Sequence, residues 1–309
     1  KVAYVFPGQG SQFPGMGRDL YDNFASARAV FQQADEILKF PLSRLCFEGP
    51  DDELRLTINA QPALVTVSFA CLKAIQEADG TGKLPAPAFV AGHSLGEYTA
   101  LAAADVIDFA AAVYLARERG RLMHEAGLKT AGGMAAIIGL DESVLTEVCQ
   151  TTNTWIANFN CPGQMVISGA KENIEKAMEL AKAKGAARTI PLQVSGAFHS
   201  PLMQPAMEGL AQIIARLTFK DPKVPVVANT TAQPLIRGEQ MGGELTAQLL
   251  NSVQWQRSIE FMIEKGVSTF VEIGPGKVLA GLIKRINREA NILNIGDAAA
   301  IKNLASPSS

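Results

Sequence analysis

A serine bracketed by glycines, Gly92-His93-Ser94-Leu95-Gly96, is the first place in this chain where residue type and spacing point to chemistry. The pattern G-x-S-x-G gains weight from its setting: the apolar run Ala88–Gly92 precedes it and a helical pattern follows at once. A strand turning sharply into a helix exposes the serine Oγ, and the helix's free N–H groups are available to a developing oxyanion. The plainer reading is a Gly-Ser turn with Ser94 as a helix cap.

A serine hydroxyl needs a base, and the chain has only three histidines. His93 is next to Ser94, but adjacent side chains on a turn diverge, so it is a poor base. His124 falls near the end of a helix rich in Arg and Glu, where a solvated imidazole is favoured. His199 lies in Ser195-Gly196-Ala197-Phe198-His199-Ser200-Pro201, a loop re-entering the main body at a domain junction, where a base can meet a nucleophile from elsewhere.

The helix expected at Asp108–Ala126 supplies a third group. At about 100° per residue, Phe109, Ala112, Val113, Leu115, Ala116, Leu122 and Met123 form one apolar arc. Arg117, Glu118 and Arg121 fall outside it, where solvated charges belong, but Arg119 falls in its middle. A buried guanidinium must find an anion. Either an Asp or Glu of this chain supplies it, or a substrate carboxylate does, gripped by the planar fork in two parallel hydrogen bonds.

The turn Pro7-Gly8-Gln9-Gly10-Ser11-Gln12 is no phosphate loop, since neither G-x-x-x-x-G-K-[ST] nor G-x-G-x-x-G is present. Its better use is to bring a backbone N–H beside the nucleophile as a second oxyanion donor; the plain reading is a strand-to-helix turn.

These residues need a scaffold, and the pattern of the chain predicts an α/β one. Apolar strands at Lys1–Phe6, Ala88–Gly92, Val224–Ala228 and Thr269–Ile273 run into glycine-rich turns and helical stretches, the way a parallel sheet presents site residues at its strand ends. Gly133–Leu140, Asp141–Thr151, Trp155–Asn160, Met165–Gly169, Lys171–Lys184 and Ala187–Leu192 read in order as strand, helix, strand, strand, helix, strand. That is the ferredoxin-like unit. We therefore expect a small subdomain at 129–196 inserted into a large α/β body formed by 1–128 and 197–309, with a frayed tail over Ala305–Ser309.

At 309 residues, 48% of them hydrophobic, the core is ample. The net charge of −2, without a basic stripe, argues against nucleic acid or an anionic membrane as main partner. The longest apolar stretch read from the sequence, Thr99–Ala116, is broken by Asp105 and Asp108, so no membrane span is expected. The first residues lack the features of a signal peptide and an initiator Met, which reads as a processed or trimmed start. Cys46, Cys71, Cys149 and Cys161 are far apart with no His at ligand spacing, which predicts free thiols in a reducing, cytoplasmic compartment and no metal site. No heptad or apolar surface helix suggests more than a monomer.

Taken together, the chain resembles the malonyl-CoA:acyl carrier protein transacylase family of fatty-acid and polyketide synthesis. FPGQGSQ at 6–12, QPAL at 61–64, GHSLGEY at 92–98, RGRLM at 119–123, NFNCPGQMVISG at 158–169, GAFHSPLM at 196–203, NSVQW at 251–255 and VEIGPGKVLAGL at 271–282 carry the likeness in the right order. The resemblance implies an α/β-hydrolase-like parallel-sheet body, Ser94 as nucleophile, His199 as base then acid, and Arg119 as a clamp on the malonyl carboxylate. It implies an oxyanion hole from the N–H groups of Gln9 and Leu95, and Gln254 as the residue whose main-chain carbonyl orients the imidazole. His93 and Asn160 match positions lining the pocket. Phe198, before the histidine, matches members that prefer malonyl over methylmalonyl, an aromatic wall leaving little room for an α-methyl group. The implied substrates are malonyl-CoA and holo acyl carrier protein, with no metal or redox cofactor. The alternatives are a discrete polyketide-synthase acyltransferase, a serine thioesterase or lipase, and an inactive carrier-binding scaffold.

Overall fold

The computed structural model describes residues 1–78, 84–194 and 196–305; Ser195 and the expected frayed residues 306–309 lie outside them. Five parallel strands and one antiparallel edge strand form the main sheet. They are β1 (Val2–Phe6), β2 (Phe89–Gly92), β7 (Val226–Val227), β8 (Pro234–Leu235), β9 (Thr269–Ile273) and β10 (Asn291–Ile295), in the order β10-β9-β1-β2-β7-β8. Both faces are covered, as parallel sheets require. In β1, Tyr4 and Phe6 pack into one hydrophobic cluster while Ala3 and Val5 pack into the other, with Trp255, Ile259 and Leu279. The edge strand β8 and the outer strand β10 were not anticipated. β10 has only one buried residue, Ile295, and so reads as polar chain.

A second sheet is built from β3 (Gly132–Ile138), β4 (Trp155–Cys161), β5 (Gln164–Ala170) and β6 (Arg188–Pro191) in the order β4-β5-β3-β6, every pair antiparallel. Helices Glu142–Thr152 and Lys171–Ala183 complete the ferredoxin-like order, and the unit has its own apolar core around Ile137, Leu145 and Ile167. It is tied to the body through β4. Phe159 N–H donates to Val253 O at 2.9 Å, Val253 N–H to Ala157 O at 2.8 Å, and Arg257 holds Glu142 with both carboxylate oxygens at 2.9 and 2.8 Å.

Among the described residues, the one helix long and apolar enough to cross a membrane is Thr57–Ala78, not the stretch singled out from sequence, and 89% of its apolar window is buried inside the protein. It is the central core helix, packed along helix Phe109–Lys129. Pro62 has no N–H to offer the carbonyl one turn back, and Arg117 fills that role, donating to Ile58 O at 2.9 Å. Arg117 is thus half-buried and bonded rather than solvated, because the proline left an acceptor facing it. The contact fixes the two helices that carry Gln61 and Arg119.

Candidate active site

Chain turns just beyond the carboxyl ends of β1 and β2 meet at one cavity, the place where parallel sheets gather functional groups, and Asn229 beyond β7 braces the second of them. Beyond β2, Ser94 sits at φ 49°, a left-handed conformation strained for any residue with a Cβ. The flanking glycines make the turn possible. A Cβ on Gly92 would lie 1.9 Å from the Gly96 carbonyl carbon, and one on Gly96 would lie 2.2 Å from Phe6 O. Beyond β1, the turn reaches the nucleophile because Gly8 has no side chain: a Cβ there would sit 2.3 Å from His93 O.

Ser94 Oγ lies 2.8 Å from His199 Nε2, and His199 Nδ1 lies 2.7 Å from the main-chain carbonyl of Gln248. A carbonyl only accepts, so Nδ1 carries the proton and Nε2 presents its lone pair to the serine hydroxyl. Burial, with the Arg119 charge adding to it, pushes the His199 pKa down to about 3, so the imidazole is neutral near pH 7. Those are the tautomer and charge state a general base requires.

Arg119 is 1% exposed. One terminal nitrogen donates to Gln61 Oε1 at 2.7 Å; the other donates to Gln248 Oε1 at 2.8 Å and to Ser94 Oγ at 3.2 Å. Its Nε–H is buried without a hydrogen-bond partner among the described residues, and the centre of the Tyr98 ring lies 5.5 Å from the guanidinium carbon. No Asp or Glu among the described residues lies within ion-pair distance of it. Of the two anions the sequence left open, the internal one makes no direct pair: Glu97 acts on the guanidinium only across Gln248. The guanidinium is held by neutral amide oxygens beside a nucleophile, with donor capacity to spare.

The N–H groups of Gln9 and Leu95 are not bonded to any described residue, and both residues line the cavity with Ser94, Arg119 and His199. Thr57 Oγ1, donating to Gln9 Oε1 at 2.9 Å, holds the first of them. The cavity is about 350 Å³, and Met123, Met134, Asn158, Leu192, Val194 and Phe198 wall it. Among the described residues, no cluster of His, Cys, Asp or Glu has the makings of a metal site. All four cysteines are free and buried.

The acyl transferase domain family matches the chain over residues 3–303. The chain belongs to that family. It is 47% identical over 307 residues to the malonyl CoA-acyl carrier protein transacylase of Bacillus subtilis, covering 98% of this chain and 95% of that protein. Among solved structures it resembles the acyl-carrier-protein S-malonyltransferase of Bartonella henselae, at 42% identity and a TM-score of 0.93, covering 98% of this chain and 97% of that one. It also resembles a malonyl-transacylase in complex with its type II polyketide-synthase acyl-carrier protein, at 41% identity and a TM-score of 0.94, with 99% of each chain covered.

Within this acyl transferase, three sequence expectations need correction. Gln254 does not hold the imidazole: its carbonyl accepts from Ser258 N–H at 2.9 Å in the first turn of helix Trp255–Glu264. Gln248 holds it instead, because it closes helix Met241–Gln248 and a terminal helix carbonyl has no partner within the helix. Asn160 does not line the cavity; its Oδ1 lies 2.8 Å from His93 Nε2, and Asn158, two residues back in β4, is the one that lines it. His124 is half-buried rather than solvated, with Nδ1 buried and unpartnered. His93 lines the cavity but points to Asn160, away from Ser94 as its adjacency predicted.

Gln61, Asn229 and Gln248 went unread as site residues. Gln61 had a signal, an amide amid an apolar helical run. Asn229, whose Oδ1 accepts the Ser94 N–H at 2.7 Å, and Gln248 have none, since only the topology brings them to Ser94.

Proposed function

We propose that this protein moves a malonyl group from a coenzyme A thioester to the phosphopantetheine thiol of an acyl carrier protein, through a malonyl ester on Ser94. The observation that carries the reading is the buried Arg119 guanidinium, without a carboxylate partner and 3.2 Å from Ser94 Oγ. A thioester carbonyl over Ser94 puts the free carboxylate of a short dicarboxylic acyl group within that guanidinium's reach, and the two-point hold orients the reaction. The names of the relatives and of the two structural neighbours support the same activity.

Ser94 Oγ attacks the thioester carbonyl while its proton passes to His199 Nε2, and the Gln9 and Leu95 N–H groups receive the oxyanion. Collapse breaks the C–S bond, and the imidazolium returns the proton to the departing coenzyme A thiol. The carrier thiol then gives its proton to His199 and attacks the serine ester, and Ser94 leaves with that proton restored. Every proton and charge in this scheme is handled by residues of the chain, so it calls on no metal or redox group. Phe198, 6% exposed on the cavity wall, narrows the space beside the acyl α-carbon.

The same reading has the chain supply extender units for fatty-acid synthesis as a single-chain cytoplasmic enzyme, with 129–196 as a unit inserted between 1–128 and 197–309. The separate sheet and core of the inserted segment support that division, and four free buried thiols support a reducing compartment. Polyketide extender supply is the second reading, favoured by the carrier-bound neighbour. Intact-protein mass spectrometry after mixing with malonyl-CoA, then with holo carrier protein, tests the core of it. One malonyl adduct discharged onto the carrier is expected. An adduct that decays to free malonate at the same rate with or without carrier makes the protein a hydrolase instead.

A further inference from the structure

Glu97, in the first turn of helix Gly96–Ala103, is a buried carboxylate that the transfer scheme does not use. Its Oε1 accepts the Asn229 N–H at 2.9 Å, and its Oε2 accepts from Gln248 Nε2 at 2.6 Å. Both partners lead to the reacting groups. Asn229 Oδ1 accepts the Ser94 N–H at 2.7 Å, and its Nδ2 donates to Gly92 O at 2.7 Å, so it braces the turn carrying the nucleophile. Gln248 reaches further. Its Nε2 also donates to Ser94 O at 3.0 Å, its Oε1 accepts from Arg119 at 2.8 Å, and its main-chain carbonyl accepts from His199 Nδ1.

A primary amide can turn over, exchanging its oxygen and NH₂, at little intrinsic cost. Gln248 must not do so, because its NH₂ would then face the donors of Arg119. What fixes the amide is the pair of acceptors opposite Nε2: Ser94 O takes one N–H at 3.0 Å, and Glu97 takes the other at 2.6 Å, the shorter bond, with an oxygen that no other group donates to. From those contacts we infer that Glu97 is a positioning residue for acyl transfer, acting through the Gln248 side-chain amide to present Oε1 to Arg119. The inference rests on the malonyl-transfer reading, since Arg119 matters there through the acyl carboxylate.

Two other charged groups face Glu97. Glu244 lies near enough to oppose its ionisation and is held by Thr230, whose N–H donates at 2.9 Å; Arg119 favours it. Burial and Glu244 together hold the Glu97 pKa well above the ordinary carboxylate range. Acceptance is nonetheless demanded at both oxygens, because both face N–H donors.

Glu97→Gln tests this at constant shape. Its NH₂ must oppose either the Asn229 N–H or the Gln248 NH₂. In the second case the Gln248 amide turns over and its NH₂ faces Arg119. We expect Glu97→Gln to lose about 10- to 100-fold in kcat/KM for malonyl-CoA, the cost of one misplaced charged hydrogen bond, and much less for acetyl-CoA. The malonyl-to-acetyl ratio therefore falls. Combined with Gln248→Ala, the loss should be no greater than that of Gln248→Ala alone. Glu97→Asp keeps two acceptors on a shorter stem and should keep the wild-type ratio even where its overall rate falls. Equal losses for both acyl groups in Glu97→Gln, additive losses in the double variant, or a ratio that collapses in Glu97→Asp as it does in Glu97→Gln would each overturn the inference. A wild-type enzyme that takes no malonyl at all instead overturns the malonyl reading, so the two failures are told apart.

Discussion

The two sheets contribute to one cavity in different ways. From the body around the parallel sheet come Gln9, Ser94, Leu95, Arg119 and His199, polar groups whose positions are set by bonds to other buried groups such as Gln61, Asn229 and Gln248. From the ferredoxin-like unit and the segment that follows it come Met134, Asn158, Leu192 and Val194, mostly apolar and bonded to none of the reacting atoms. The body does the chemistry, and the inserted unit gives the cavity its second wall. A polar group in the body cannot be changed without unsatisfying its neighbours, whereas a wall residue can be changed at the cost of its own contacts.

If that contrast is sound, the largest effect belongs to the nucleophile. Ser94→Ala should remove the acyl adduct seen by mass spectrometry and lower transfer on the order of 10⁴-fold or more. Residual adduct on the variant would move the chemistry elsewhere. Next comes Arg119→Ala, expected to lower malonyl kcat/KM by roughly 100-fold while acetyl loading changes little. Steady-state rates with the two thioesters decide it, and an unchanged preference would break the link between the buried guanidinium and dicarboxylic substrates.

The pH profile sharpens the same side of the comparison at about the tenfold level. An ordinary imidazole would be about 90% protonated one unit below its pKa of 6.5, but His199 is held near 3. The kcat/KM of the free enzyme should therefore be nearly flat from pH 7 to 5.5, and a tenfold fall over that span would mean that the base is not depressed. The sign for stability is the opposite of protective. The unfolded chain binds the proton below about 6.5 while the folded protein does not, so this histidine makes stability fall as pH drops from about 6.5 toward 3. The smallest effect is expected on the second wall. Asn158→Ala should alter kcat/KM by a few-fold at most, and a hundredfold loss would give the inserted unit a part in the chemistry that its contacts do not suggest.

The same contrast marks what the amino-acid sequence discloses. Arg119 could be found because a helix has a fixed period, so a charge in an apolar arc stands out. Ser94 could be found because a sharp strand-to-helix turn demands its glycines locally, and the βαββαβ order because each of its elements is written in consecutive residues. Gln248, Asn229 and Glu97 could not. Each is an ordinary polar residue until the topology sets it beside residues more than a hundred positions away in sequence, or, for Glu97, until its partners arrive from there. The sequence points to Gln254 where the fold uses Gln248 for the same reason, as a main-chain carbonyl carries no side-chain signature. The β4–β5 register shifts between Phe159 and Cys161, at Asn160, and strand alternation carries no sign of such a shift, so the sequence could not say which of Asn158 and Asn160 meets the cavity and which meets His93.

The position of β1 has a consequence for how the protein is made. Val2–Phe6 lies in the middle of the main sheet, paired on one side with β2 and on the other with β9, where Val2 is matched to Thr269. During synthesis β1 leaves the ribosome well before β9, so it can acquire β2 early but must wait until residues 269–273 have emerged before gaining its second neighbour. Until then a row of backbone donors and acceptors on an apolar strand is open to any passing strand. Maturation of the sheet is thus a late, long-range closing step, slow in the way non-local pairings are. A nascent chain halted before residue 269 should need chaperone cover that the finished protein does not.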